Sequence, residues 1–346
     1  MSPSAVLRGL GEQVSAHQRR IRLIAGACYL VVLAVATAVM GIPLSRTTVF
    51  AWTLAALAIY CIGRGWRLLG QAFLDWVPFC AVMVLYDFSR GAADRLGQPV
   101  HVGWPAAVDR WMFGVVPSVW LQHRFYVPGV AHWYDVAASL VYFSFFFTVP
   151  LTMAVLWLRS RPLWRRFTAN VVAVSFASLA TYLAFPEAPP WYAAHREVIG
   201  PISRISSLGW TDIGLRATGD VIEHGQAIAN DVAAMPSVHI AYSMIVALFL
   251  ARRMPGRLRA LPMVYPAAMG LALVYTGEHY VVDLIAGVLY VVVIDLAVAL
   301  VMDRAAARAR SRPPDIAPAA GRTPHRRERP VSPETARPIG PAESEA

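Results

Sequence analysis

Two short strings in this chain bring histidine, serine and aspartate together at spacings that suit nucleophilic chemistry. The first is Ala233-Ala234-Met235-Pro236-Ser237-Val238-His239, which stands where a polar stretch gives way to an apolar run. Pro236 suits the first turn of a helix, where its missing N–H costs nothing. Ser237 and His239 then lie near a helix N-terminus, where unpaired backbone N–H groups and the helix dipole favour an anion. The second string is Tyr275-Thr276-Gly277-Glu278-His279-Tyr280-Val281-Val282-Asp283. His279 and Asp283 are four residues apart, so a helix stacks them on one face. A carboxylate bonded to one imidazole nitrogen fixes the tautomer and frees the other nitrogen for attack. A nucleophilic histidine requires that arrangement. Taken singly, each string also suits a plainer role, an interfacial histidine or a structural i,i+4 pair.

The elements that must position these strings are apolar. Hydrophobic residues make up 57% of the chain and charged residues 15%, against about a quarter charged in an ordinary soluble domain. The apolar residues fall in eight long runs, approximately 22–41, 47–63, 69–88, 135–157, 167–185, 236–251, 261–277 and 280–302. Runs near ~20 residues are what a bilayer crossing needs, so the expected fold is an all-α polytopic membrane bundle of about eight transmembrane helices. Three regions follow: an N-terminal segment 1–21, a membrane domain 22–302, and an Arg/Pro-rich tail 303–346 whose composition predicts disorder. Arginines precede the first run as in a signal peptide, but the run is long for a signal core and reads as an uncleaved span.

The net charge of +10 comes entirely from arginine, since the chain has no lysine. With the N-terminus placed in the cytoplasm, 23 of the 31 arginines fall on the cytoplasmic side. The positive-inside rule therefore predicts a multi-pass cell-membrane protein with both termini cytoplasmic. That topology sets the loops 89–134 and 186–235, and with them His239 and His279, at the extracytoplasmic face. The arginines cap apolar runs or fill the tail, a distribution suited to anionic lipid, and no nucleic-acid motif is present. Cys28, Cys61 and Cys80 lie inside apolar runs without disulfide or metal-ligand spacing and read as small buried hydrophobes.

Other residues at the same depth invite weaker readings. Arg90, in Asp87-x-x-Arg90, ends the third span and suits a phosphate contact or an i,i+3 ion pair. His132 and Asp135 flank the start of the fourth span and suit substrate binding or an interfacial cap. Tyr142 and Ser144 suit a headgroup or a neighbouring helix. Asp75 and Asp295 lie on the far side from the histidines and read as packing or interhelical hydrogen bonds. The tryptophans of the loop 89–134 suggest a segment lying along the membrane interface.

Pro236-Ser237-Val238-His239 followed by His279 and Asp283 resembles the signatures of the type 2 phosphatidic acid phosphatase superfamily. Its inositol phosphorylceramide synthase branch is the closer likeness, through Phe185-Pro186-x-x-Pro189-Pro190-Trp191-Tyr192 and His279-Tyr280-x-Val282-Asp283-Leu284. The resemblance covers roughly residues 70–300. It implies a six-helix catalytic core and a two-step mechanism: His279 attacks phosphorus to give a phosphohistidine, Asp283 supports it, and His239 protonates the departing oxygen. It implies a lipid phosphate or phospholipid donor and a polyol, alcohol or water acceptor. No metal or cofactor is demanded, because arginines and backbone N–H groups can neutralise a phosphate.

The chain departs from the superfamily where a lysine–arginine phosphate signature is usual. It has no lysine, and residue 273 is Leu where an arginine is expected. The clamp must be built otherwise, with Arg90, Arg110, Arg124, Arg196, Arg204 and Arg216 as candidates. The substrate-contacting set expected is Ser237, Arg90, Tyr192, His132 and Asp135. The leading functional expectation is a lipid phosphotransferase carrying a phosphoryl or phosphoinositol-type headgroup. A lipid or polyprenyl-phosphate phosphatase is the alternative, and a transporter the non-enzymatic one.

Overall fold

A computed structural model describes residues 3–42, 45–92, 97–214, 218–219 and 230–311 of the chain. An apolar run can satisfy its own backbone polar groups only by closing on itself as a helix. Twelve α-helices result among the described residues: α1 Pro3–Met40, α2 Arg46–Cys61, α3 Trp66–Ala92, α4 Trp104–Phe113, α5 Pro117–Phe125, α6 Trp133–Arg159, α7 Arg161–Ala184, α8 Pro190–His195, α9 Leu208–Asp212, α10 Val238–Ala251, α11 Val264–Tyr275 and α12 Val281–Ser311. A 3-10 helix, Gly256–Met263, leads into α11. The all-α bundle expected from the apolar runs is what forms. The chain divides into two units, Met1–Asp303 and Arg304–Ala346. The expectation of a disordered tail falls, beyond residue 311, outside the described residues.

Local chemistry sets the helix ends. Prolines open α5 and α8, where a missing N–H has no cost. Ser45 and Ser237 cap α2 and α10 by accepting the N–H of Thr48 and Ile240. Gly114 ends α4 in the left-handed region, φ 75°.

Among the described residues, six segments are long and apolar enough to cross a membrane: Ser15–Met40, Trp66–Arg90, Trp133–Arg159, Arg161–Ala184, Gly256–Tyr275 and Val281–Arg308. The other two expected spans are apolar helices of 16 and 14 residues, α2 and α10. At about 1.5 Å per residue α10 is about 21 Å long, short of a ~30 Å hydrocarbon core. It also starts later than expected: Pro236 stands before the Ser237 cap and not in the first turn. α1 extends back to Pro3, well before the predicted start of the first run.

α10 is the central helix. α6, α7, α11 and the 3-10 helix pack around it, and Val238, Ile240, Ala241, Tyr242, Ile245 and Phe249 are all buried. A helix apolar on every side belongs in such a position. Its main core partners include Trp76 and Met83 of α3, Met153 of α6, and Phe167 and Val171 of α7. Polar pairs pin the bundle: Tyr242 with Ser175 and Tyr290 with Thr181, while the Tyr182 hydroxyl donates to Pro236 O at 2.7 Å. Asp75 accepts from Trp157 Nε1 at 3.0 Å, and Asp295 pairs with Arg252 and Arg166, so both serve as interhelical contacts.

The loop-bearing end is laced together. Glu187 N–H donates to Val232 O at 2.8 Å, Ala234 N–H to Glu187 O at 3.3 Å, and His101 pairs with Pro186 and Ala188. Three chain segments thus run parallel with residue 187 in the middle. α4 and α5 lie at this end with Trp104, Trp111 and Trp120 exposed. Asp109 of α4 sits on the N-terminus of α12, accepting from Val281 N–H at 2.9 Å and Val282 N–H at 3.0 Å. Burial pushes its carboxyl up to about 6, against the pull of those two amides.

One approach between α10 and α12 is tighter than any side chain permits. A Cβ on Gly287 would stand 2.5 Å from Ile240 Cγ2 and 2.6 Å from Ser237 O. Gly287→Val must therefore push the start of α10 off α12. We expect it to lower stability by about 1–3 kcal/mol and to cost far more activity than stability, read by thermal melting in detergent beside turnover.

Candidate active site

The close approach at Gly287 and a hydrogen bond from Ser237 N–H to Asp283 O, 3.1 Å, hold the first turn of α10 against the first turn of α12. His239 and His279 are thereby brought face to face: His279 Nε2 lies 3.4 Å from His239 Nδ1. On the other side His279 Nδ1 lies 3.3 Å from Asp283 Oδ2, and that oxygen also accepts Tyr280 N–H at 2.9 Å. His279 is 6% exposed and Asp283 is fully buried. A carboxylate beside Nδ1 keeps the proton there, which leaves a lone pair on Nε2 and makes His239 Nδ1 the donor between the rings. The opposite tautomer would set the Nδ1 lone pair against a carboxylate. Tyr142 and Phe145 pack on His239 with ring centroids at 5.2 and 4.2 Å, fixing its plane.

Both histidines line a cavity of about 590 Å³. Its polar part carries Arg46, Arg90, Arg204, Asp231 and Glu278; its inner limb is apolar, with Phe79, Met83, Phe145, Val149, Met153 and Val171. Along α3 the distance from Arg90 to Phe79 is eleven residues, or about 16 Å of helix. The cavity thus joins a cationic chamber to a slot of a depth suited to a hydrocarbon chain.

The three arginines differ in their partners. Arg46 pairs with Asp87 at 3.1 Å, so the expected Asp87–Arg90 pair gives way to a longer-range one. Arg204 makes a fork on Glu278, Nε to Oε1 and Nη2 to Oε2 both at 2.9 Å, and lies 4.8 Å over the Trp191 ring. Gln122 sets that arginine's backbone by bonding Ser203 O, Ser203 N–H and Tyr275 O. Arg90 has no carboxylate within ion-pair distance among the described residues.

The structure therefore brings His239, His279, Asp283 and Arg90 together. Ser237 is fully buried behind them as the cap of α10 and does not line the cavity. The Tyr192 hydroxyl accepts from Arg196 at 3.0 Å and stands off the cavity, whose wall uses Trp191 instead. His132 and Asp135 form a capping box at the start of α6, and Asp135 also accepts the Tyr275 hydroxyl; neither lines the cavity. Ser144 bonds Tyr265 of α11. Arg110, Arg124 and Arg196 do not reach the cavity, and Arg216 lies outside the described residues. Arg204, one of the arginines expected at this face, does line the cavity, whereas Arg46 and Glu278 were not singled out by the motifs. Glu278 adjoins His279 in sequence, but its partner is 74 residues away, with no local signal.

A guanidinium free of carboxylates is the one that gains most from an entering anion. Replacing Arg90 with Gln is expected to raise the Kd of inorganic phosphate or vanadate about 10- to 100-fold, as the loss of a charge-assisted hydrogen bond implies. Competition binding on the purified protein reads this directly.

A family profile described as the PAP2 superfamily matches residues 104–297, which span α4 to α12 and hold both histidines. The phosphoinositol dihydroceramide synthase of Bacteroides thetaiotaomicron is 28% identical over 243 residues, covering 67% of this chain and 77% of that protein. No solved structure shows significant similarity. With more than half of its length inside that family's span, and a histidine pair lining a cavity of cationic and apolar residues with the Asp283 carboxylate beside it, the chain belongs to the PAP2 superfamily and is a membrane lipid phosphotransferase or phosphatase.

Proposed function

We propose that this enzyme moves a phosphorylated headgroup from a membrane lipid to a polyol hydroxyl through a phosphohistidine on His279, at the extracytoplasmic face. The observation that carries the reading is the Asp283–His279–His239 series, with contacts of 3.3 and 3.4 Å, at the junction of the cationic chamber and the apolar limb. A donor lipid placed with its chain in the limb presents its phosphorus to the histidines. Arg90 and Arg204 then neutralise the phosphate oxygens.

The Nε2 lone pair attacks phosphorus, an N–P bond forms, and the bond to the leaving oxygen breaks. His239 enters the step as the imidazolium, favoured by the anionic phosphate beside it; its Nδ1 proton, no longer donated to Nε2, passes to that oxygen and leaves a neutral imidazole. Asp283 offsets the positive charge on His279. In the second half the acceptor hydroxyl gives its proton to His239 and attacks phosphorus, and the N–P bond breaks. An inositol phosphate is the favoured headgroup, by likeness to the phosphoinositol dihydroceramide synthase. The excess of arginine on the tail side, 23 of 31, supports the assignment of face.

Enzyme given a lipid labelled in its phosphate should carry acid-labile label on His279. His279→Ala should abolish turnover, and Asp283→Asn should lower kcat by about 10³- to 10⁴-fold, as loss of the orienting carboxylate does in comparable triads. His239→Ala should slow release of poor leaving groups far more than good ones. Label on another residue, or turnover in His279→Ala, would sink the mechanism. Release of the free phosphorylated headgroup alone, with acceptor alcohols present, would make water the acceptor.

A further inference from the structure

Glu187 occupies one of the unspecified positions of the Phe185–Tyr192 string, and none of the chemistry above uses it. It is fully buried, and neither carboxylate oxygen has a hydrogen-bond partner among the described residues. Its backbone is bonded on both edges, to Val232 and Ala234 on one side, with flanking Pro186 and Ala188 bonded to His101 on the other. The side chain is therefore delivered to a fixed place. The charges acting on it are Asp283 and Asp109, and it acts in turn on the buried hydroxyl of Tyr280. Arg110 is the cation facing that hydroxyl.

A carboxylate without donors, next to two others, does not stay ionised. Burial, with Asp283 and Asp109 adding to it, holds the Glu187 carboxyl well above the usual carboxylate range. The neutral acid has one O–H to give. Asp109 is already engaged, its two oxygens taking the amides of Val281 and Val282. Asp283 Oδ2 is turned to His279 and Tyr280 N–H. Asp283 Oδ1 is buried and has no partner among the described residues, and the Tyr280 hydroxyl is in the same condition. Donors and acceptors match: the acid O–H to Asp283 Oδ1, and the Tyr280 O–H to the acid carbonyl.

We propose that Glu187 is a positioning residue, a neutral acid that donates to Asp283 Oδ1, directly or through one water, and so keeps Asp283 Oδ2 on the nucleophile His279. The inference rests on His279 being the nucleophile. It adds a fourth member to the Asp283–His279–His239 series, supplied by the loop that precedes α8 and not by α10 or α12.

The test compares Glu187→Leu and Glu187→Gln in the full-length enzyme. Leu fills the space without a donor; Gln supplies a neutral donor of the same shape. Glu187→Leu should lower kcat about 10- to 100-fold, the range typical of an outer partner of an active-site group, with KM little changed. Glu187→Gln should recover most of that loss. Infrared spectra of the wild type should contain a deuterium-sensitive protonated-carboxyl band that Glu187→Gln removes. Wild-type kcat in Glu187→Leu, Gln no better than Leu, or no loss of that band in Glu187→Gln would each overturn the proposal. The band is read without turnover, so it stands even where Leu fails to fold. Turnover in His279→Ala would instead count against the nucleophile itself, whatever the Glu187 series shows.

Discussion

The site depends on how closely α10 and α12 approach at their first turns. The Ser237 N–H to Asp283 O bond and the bare Cα of Gly287 let the two backbones meet. The first turn of α10 then contributes His239, and the turn just before α12 contributes His279, to a shared contact. Neither helix start needs its own polar groups for anything else: Ser237 caps α10, and Asp109 caps α12 from outside. With caps supplied this way, His239 is left free of capping duty and Asp283 keeps its side chain for His279.

Much of this pair was legible before any coordinates. The four-residue spacing of His279 and Asp283 marks their contact, although His279 stands in the turn two residues before α12 and not on the helix face expected, and His239 is marked by the Pro236-Ser237 start signal. The bundle was legible too, because apolar run length maps directly onto helices. The short central helix was not: a run of apolar residues does not tell a crossing from a helix enclosed by others. Nor was the cationic chamber, whose pairs, Arg46 with Asp87 and Arg204 with Glu278, link residues far apart in sequence. His132 and Asp135 show the converse difficulty. A histidine and a carboxylate three residues apart at a helix start are what a capping box needs as well as what a binding site needs, and the structure uses them as the cap.

Three arginines line the cavity among the described residues, and they occupy different electrostatic states. Arg46 and Arg204 each carry a carboxylate partner that stabilises them. Such partners reduce the field available to an anion while fixing the guanidinium's direction. Arg90, without one among the described residues, supplies charge more than direction. A planar fork suits both tasks in a way that an ammonium does not. With no lysine in the chain, side-chain cations of the cavity are arginines.

The lacing of residues 101, 187 and 233 has a mechanical consequence. Hydrogen bonds on both edges of the Phe185–Tyr192 segment make three loops of the bundle end a single body. Its innermost side chain is the buried Glu187 carboxyl, and its outer parts border the exposed tryptophans of α4 and α5. With Glu187 in the role proposed for it, a molecule that grips the surface of this rim pulls on the ground behind Asp283. Inhibition of such an enzyme need not come from filling its cavity; stiffening or tilting the rim would then reach His279 from behind.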